Sequence, residues 1–260
     1  MRFRDFYSIK IEVFVKEYAV VGSGIGGSSI AAYLSAKGFD VVLFEKEPYL
    51  GGCSSSFIHA KHTYNTGATT FAGYDEEQSV KKIFDIIGFT PKLIKSEPSI
   101  VVLQNSKITP RYKDFELFLA EVEKNYPHPK NRAFWTLVSK INRDFYPLHG
   151  HYYSNASYFS KLKSLTSYLP LFFKFKAYLF GDAKKFIERF YGTLDFEYKN
   201  FLEAQIRIVA QAPTSEINFF TASLSLGYTF NDNYYIEGGF SALFNGLTQN
   251  VKELHRNTKS

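Results

Sequence analysis

A short β-prone run, Tyr18 to Val21, leads straight into Gly22-Ser23-Gly24-Ile25-Gly26-Gly27, a G-x-G-x-x-G string set where a strand gives way to a helix. Ile30, Ala31 and Leu34 carry helical spacing, Ala31 and Ala32 permit close packing, and Gly38 is a suitable C-terminal stop. Val41 to Phe44 form a second buried-strand run that ends in Glu45. Strand, glycine turn, helix, strand and an acidic residue about 20 positions beyond the glycines make the βαβ unit of a dinucleotide fold.

The chemistry assigns a task to each position. Gly22 permits the tight turn, Gly24 lets the backbone approach a pyrophosphate, and Gly27 lets helix and strand pack closely, with Ser23, Ile25 and Gly26 completing the loop. A phosphate then sits at the helix N-terminus, where unpaired N–H groups and the helix dipole stabilise it. The Glu45 carboxylate, followed by Lys46, accepts hydrogen bonds from adenosine ribose hydroxyls and opposes a 2′-phosphate. NAD or FAD fits this site; NADP does not.

Six residues past Glu45 stands a second glycine doublet, in Pro48-Tyr49-Leu50-Gly51-Gly52-Cys53. The whole string resembles the extended FAD signature of glutathione-reductase-type flavoproteins. More narrowly it is similar to the phytoene desaturase and carotenoid isomerase group, relatives of the amine oxidases. Asn65-Thr66-Gly67-Ala68-Thr69-Thr70-Phe71 and the distant Tyr235-Ile236-Glu237-Gly238-Gly239-Phe240 carry further likeness, although that group usually has Pro where Glu237 stands.

The resemblance implies FAD as cofactor and an α/β architecture: a Rossmann-type nucleotide domain with an inserted, mainly helical α+β substrate domain. It places Gly67, Gly238 and Gly239 near the flavin. On this reading residues 1–16 are an extension, 17–80 the first part of the FAD domain, 81–212 the substrate domain, and 213–260 a return toward the FAD domain. The family's later Gly-Asp motif has no counterpart here, so the chain reads as an N-terminal part, with a nucleotide domain incomplete at its C-terminus and a second polypeptide as partner. The implied activity is flavin hydride chemistry on an isoprenoid or other apolar polyene. The alternatives are a non-catalytic fragment and an amine oxidase-like enzyme with a polar substrate.

Hydrophobic residues at 45% and charged residues at 22% describe a packed globular chain. One cysteine, Cys53, permits no internal disulfide, and the chain reads as cytoplasmic, at most peripheral to the inner face of a membrane. A net charge of +6 without a recognised motif gives no warrant for nucleic-acid binding. No HExxH, GxSxG or P-loop occurs. His59 with His62 and His149 with His151 read as loop or surface histidines, and no metal site is expected. Cys53 reads as a small buried residue beside the cofactor, and the residues alone single out no catalytic acid or base.

Helical stripes run through Val80, Ile83, Phe84 and Ile87 after an Asp75 cap, through Phe115, Phe118, Leu119 and Val122 after Asp114, and through Phe134, Val138, Ile141 and Phe145. Ile100 to Leu103 and Ile108 flank a turn at Asn105-Ser106-Lys107 and predict a hairpin. From Tyr152 to Tyr191 the chain is dense in Phe, Tyr, Leu and Lys. Its plain reading is a pair of core helices with solvated lysines, and its sharper one a membrane-facing entrance for a lipid. Phe240, Leu243, Phe244, Leu247, Val251 and Leu254 predict one long final helix, leaving only two parallel strands in the nucleotide sheet.

Overall fold

A computed structural model of the chain describes residues 17–76, 78–148 and 157–256. The N-terminal extension, Glu77, His149, His151 and residues 257–260 lie outside the described residues. In chain order the elements are β1 (Tyr18–Val21), α1 (Ile25–Ala36), β2 (Val41–Glu45), β3 (Ser56–His59), β4 (His62–Asn65), α2 (Ser79–Ile87), β5 (Leu93–Lys95), β6 (Ile100–Gln104) and β7 (Lys107–Arg111). There follow α3 (Phe115–Asn125), α4 (Asn131–Phe145), α5 (Tyr158–Ser167), α6 (Leu169–Leu179), α7 (Ala183–Tyr191), α8 (Phe196–Ala210), α9 (Phe219–Gly227), β8 (Tyr234–Ile236), α10 (Gly239–Thr248) and β9 (Glu253–Arg256). Two compact units result: one holds the described residues up to Thr69, Ile83–Pro91 and those from Ile236 onward, the other Thr70–Lys82 and Lys92–Tyr235.

The first unit is built on a parallel sheet in the order β1-β2-β9, with Tyr18 opposite Val41 and Val42 opposite Glu253. Ala31, Val41, Leu43 and Val251 form its core, with Val20, Leu34 and Leu254 packed on them. Helix α1 meets this core through Ser28, Ala31 and Ala32, and Ile30 is exposed rather than part of the predicted stripe. The close approach of helix to sheet leaves room only for small side chains there.

The end of the chain corrects two expectations. Helix α10 stops at Thr248, and residues 253–256 form a third parallel strand, so the predicted long helix and two-stranded sheet are both replaced. Val251 and Leu254 are three positions apart, a spacing a helix accepts. The edge of β2 offers backbone donors and acceptors that a parallel strand satisfies, and this decides the outcome.

A further element, the β3–β4 hairpin, had no signal in the sequence. Ala60 and Lys61 occupy its turn with φ of 47° and 66°, the left-handed pair such a turn needs, without the usual Asn or Gly. The hairpin caps α10. Asn65 Oδ1 accepts from the Phe240 N–H at 3.1 Å, Ser56 Oγ accepts from the Ser241 N–H at 3.1 Å, and Ser56 Oγ donates to Asn65 Oδ1 at 2.9 Å. We expect Asn65→Ala to cost about 1 kcal/mol in urea unfolding, the usual value of a lost helix cap.

In the second unit the sequence-predicted hairpin is β6–β7, with Asn105 in its turn at φ 53°. Helix α3 begins at the expected cap, where Asp114 Oδ1 accepts from the Leu117 N–H at 2.9 Å. Helix α2 starts later than predicted, because Asp75 and Gln78 form a turn in which the Gln78 N–H donates to the Asp75 carbonyl at 2.8 Å. The predicted faces of α3 and α4 enter a core rich in aromatic rings, among them Phe118, Phe134, Trp135, Phe201 and Phe219.

Arg111, at the end of β7, is buried in that core. Its guanidinium donates to the Gln205 side-chain carbonyl, to the Leu226 carbonyl at 2.5 Å and to the Thr229 hydroxyl at 2.8 Å, and lies over the rings of Phe118 and Trp135. The Tyr152–Tyr191 segment departs from the plain expectation of two core helices. Its described part forms three helices, of which α5 buries no residue and α6 only Phe175, while α7 buries Ala183, Ile187 and Tyr191.

Candidate functional site

The glycine loop lies wholly in the first unit, between the end of β1 and the start of α1. Gly22 has φ of 92°, a left-handed conformation that favours glycine, and its N–H donates to the Phe44 carbonyl at 2.7 Å, tying the turn to β2. A Cβ on Gly27 would stand 1.8 Å from the Gly22 carbonyl oxygen, so the helix can begin only with glycine there. Gly24 and Gly26 differ: a Cβ on either would meet nothing within 4 Å. Their backbone therefore faces open space, as the approach of a ligand requires.

Helix α1 starts at Gly24 with no side-chain cap and no acidic residue in its first turn. Its N-terminal N–H groups form a ready anion site. Helix α10 contrasts with it, since Asn65 and Ser56 already satisfy N–H groups at its start. The glycines Gly238 and Gly239 are explained by that cap: both have positive φ, and a Cβ on Gly239 would lie 2.9 Å from Ser56 Oγ.

Glu45 closes the other side of the loop. Its Oε2 accepts from the Ser23 N–H at 2.7 Å and from the Ser23 hydroxyl at 2.5 Å, and its Oε1 accepts from the Glu47 N–H at 3.0 Å. Burial pushes the carboxylate up, but the Ser23 hydroxyl and the amides of Glu47, Ser23 and Lys46 outweigh this and hold its pKa below the usual value. Glu45 is therefore ionised at neutral pH. A carboxylate has about four acceptor positions and the donors of Ser23, Lys46 and Glu47 occupy them, so a ribose hydroxyl would have to share or displace one of these contacts. Lys46 points elsewhere; its side chain is 87% exposed and pairs with Glu47 at 3.7 Å.

The second glycine doublet is drawn against the first. The Gly51 N–H donates to the Ser23 carbonyl at 3.1 Å, and a Cβ on Gly52 would stand 3.6 Å from Gly24 Cα. Gly51 itself is a packing glycine, with φ of 107° and a would-be Cβ 2.5 Å from the Phe244 ring. Gly67 is another, since its Cβ would meet the Cys53 carbonyl oxygen at 2.5 Å. The predicted residues thus sort into glycines whose backbone faces open space, Gly24 and Gly26, with Gly52 and Glu45 packed beside them, and a set that shapes the loop, Gly22, Gly27, Gly51 and Gly67. Ile25 is about half exposed, and Ser23 is buried as the link between loop, Glu45 and Gly51.

Cys53 is exposed rather than buried, because the short helical turn after Gly52 carries it outward, with its carbonyl accepting from the Thr66 hydroxyl. His59 and His62 face each other at the open turn of the hairpin, both exposed. Among the described residues no three His, Cys, Asp or Glu side chains converge on one point, and no helix is long and apolar enough to cross a membrane.

Residues 20–87 match the NAD(P)-binding Rossmann-like domain family. Similarity to curated proteins runs further along the chain. A chloroplastic prolycopene isomerase of an Oncidium hybrid cultivar is 26% identical over 255 residues, covering 90% of this chain and 41% of that protein. The prolycopene isomerase of Daucus carota is 26% identical over 223 residues, covering 80% of this chain and 34% of its own length. A 4,4′-diapophytoene desaturase of Staphylococcus haemolyticus is 37% identical over 78 residues, covering 28% of this chain and 16% of that one.

Among solved structures, a Pyrococcus furiosus protein superposes with a TM-score of 0.59 at 18% identity, over 92% of this chain and 50% of the other. A putrescine oxidase gives 0.57 at 13% identity, over 93% and 50%. The chain spans at most 41% of the length of these curated relatives and about half of these solved chains. The structural likeness establishes the α/β fold; a flavin or a nicotinamide dinucleotide suits its site. The chain thus has an α/β fold with an NAD(P)-binding Rossmann-like domain over residues 20–87, and it is similar at low identity to prolycopene isomerases and, over a shorter stretch, to a diapophytoene desaturase.

Proposed function

We propose that the chain binds FAD, its ADP half on the loop Gly22–Gly27, and serves a desaturase- or isomerase-type oxidoreductase acting on an apolar polyene. The observation that carries the reading is the extent of the kinship: likeness to the prolycopene isomerases covers 90% of the chain and so runs through the second unit as well as the nucleotide module. The fold alone does not select an activity, since a putrescine oxidase and a RAB GDI share it at 13% identity each. That leaves the amine oxidase-like alternative with fold-level support only.

The residues present fit a flavin dinucleotide. The uncapped start of α1 would hold the pyrophosphate, Gly24 and Gly52 leave its path clear, and Glu45 would hold the adenosine ribose. When bound, FAD supplies hydride acceptance from carbon, chemistry that no side chain provides. Ser23 holds Glu45 oriented in advance, so the ribose meets an acceptor already in place.

Incubation of the chain with FAD, gel filtration and an absorbance spectrum test this directly. Flavin co-eluting in stoichiometric ratio is expected, and NAD under the same conditions is expected to elute free. Retention of NAD instead of FAD would reverse the assignment. Glu45→Gln should weaken FAD about tenfold, because the amide offers one acceptor oxygen where the carboxylate offers two and sets an NH2 against the Ser23 N–H. Wild-type affinity should hold across neutral pH and fall only on acidification below the ordinary glutamate range, because a carboxylate of lowered pKa keeps its charge to lower pH.

A second reading, that a further polypeptide segment completes the sheet, is favoured by one specific observation. The outer edge of β1 pairs with no strand among the described residues, and Val21 is 84% exposed. Flavin retained only after such a segment is added would support it.

A further inference from the structure

Helices α7 and α8 border a cleft that neither the nucleotide site nor the aromatic core explains. Asp182 and Asp195 cap the two helices, and a short connection that turns at Gly192, with φ of 83°, sets one after the other. Both helices pack on α9 rather than closely on each other, which leaves space between them. Residues 213–215 bridge the two and close one side. There the Lys184 N–H donates to the Thr214 carbonyl at 3.0 Å, and the Thr214 N–H donates to Glu203 Oε2 at 3.2 Å. The cleft encloses about 320 Å³ and lies wholly within the second unit. Sites for small molecules begin at about that size, roughly 300 Å³.

Its floor is apolar, made by the buried side chains of Ile187, Leu194 and Leu202. Its rim is charged. Lys184 and Glu188 stand at i and i+4 on α7, and Lys199, Glu203 and Arg207 follow one another at the same spacing on α8, so each set shares one face of its helix. Glu203 is satisfied within the protein, since it pairs with Arg207 at 2.9 Å and accepts from the Thr214 N–H. The ammonium groups of Lys184 and Lys199 and the carboxylate of Glu188 have no hydrogen-bond or ion-pair partner among the described residues. A solvated lysine is ordinary on a helix. These two, however, come from different helices and border one apolar floor, and with Glu188 they leave the cleft one positive charge in excess.

We infer that the cleft binds a monocarboxylate with an alkyl body of medium length, its head between Lys184 and Lys199 and its chain over Ile187, Leu194 and Leu202. The chain gains from leaving water and the head from two cations at a partly desolvated rim. Glu188 limits the charge of the ligand, because a second anionic group in the cleft would meet its carboxylate. A dicarboxylate or a phosphate dianion therefore fits less well. The inference uses no residue of the nucleotide site and needs no flavin, so its failure and that of the redox reading are separable.

The full chain is titrated calorimetrically at pH 7 with decanoate below its micellar concentration, in the absence of FAD. Saturable binding of one decanoate per chain is expected. Octanoate, two methylenes shorter, should bind roughly tenfold more weakly, and decanedioate more weakly than decanoate. Lys184→Glu with Lys199→Glu should lower the affinity for decanoate at least about tenfold, with an unchanged melting temperature because both side chains are exposed. Lys161→Glu with Lys163→Glu, the same charge change on α5 outside the cleft, should leave it as it is. Absence of saturable binding overturns the inference. Equal losses in the two double variants also overturn it, since they reduce the binding to non-specific attraction by the basic chain. Decylammonium or decanedioate bound as tightly as decanoate would overturn the assignment of the rim to a single carboxylate.

Discussion

Gly24→Val is expected to fold as the wild type does and to lose ADP binding by roughly 100-fold, while Gly27→Ala is expected not to fold its nucleotide unit at all. The contrast comes from two glycines three positions apart in one loop. A side chain on Gly24 meets nothing within 4 Å, so the folded protein accommodates it. It does fill the approach to the start of α1, where the N–H groups await an anion. On Gly27 even a methyl group would stand 1.8 Å from the Gly22 carbonyl oxygen, and that oxygen belongs to backbone held by the Gly22–Phe44 hydrogen bond. Neither strand nor helix can retreat without opening the β1–β2 pairing. Circular dichroism melts separate the two variants, and calorimetric titration with ADP measures the binding. ADP is the half that FAD and NAD share, so the result bears on the loop whichever dinucleotide is used. A Gly24→Val variant that binds ADP as tightly as wild type would remove α1 from the site.

The same residues explain why this part of the molecule was legible in the sequence. Strand, glycine turn and helix are local, and each glycine answers a constraint within a few residues of itself: the turn at Gly22, the contact at Gly27, the open path at Gly24. Glu45 was legible because a strand of fixed length returns it beside the loop. Less was written locally where partners come from far away. Ser23 is an ordinary loop serine in the sequence, yet its hydroxyl holds Glu45 and Gly51 together across 22 and 28 positions. Asn65 and Ser56 cap a helix that begins more than 170 positions later, and no spacing rule announces that.

The strand β9 shows the limit from another side. Val251 and Leu254 fit a helical stripe, and only the open edge of β2 draws Leu254 and its neighbours into the sheet instead. In the second unit the stripes on α3 and α4 were legible because the apolar face of a helix repeats at its own period. The segment around α5 and α6 was not, because its rings are as apolar as core residues and only their exposure separates the two roles.

Arg111→Met is expected to cost about 3 kcal/mol of stability, a large effect for a residue outside the nucleotide unit. Burial lowers the pKa of the guanidinium to about 9, still above neutrality, so the folded protein holds a cation in an aromatic core at pH 7. Its partners among the described residues are a side-chain amide, a carbonyl, a hydroxyl and three rings, none of them a carboxylate. Two effects then oppose one another. Removing a buried charge recovers the cost of desolvating it, and replacement of buried ions by apolar residues is in some proteins neutral or stabilising. Here the substitution also leaves the Gln205 amide oxygen, the Leu226 carbonyl and the Thr229 hydroxyl without their donor, each worth about 1–3 kcal/mol when buried. The rings of Phe118 and Trp135 lose a cation as well, at 4.2 and 4.9 Å from their centroids. The second set outweighs the first because the guanidinium joins β7 to α8 and α9 at several points, and the linear methionine reaches none of them. Arg111→Lys should recover only part of the loss, since one ammonium cannot serve all three acceptors in the planar fork. Urea unfolding of the three proteins at pH 7 measures this, and a methionine variant as stable as wild type would show the polar contacts around Arg111 to be dispensable.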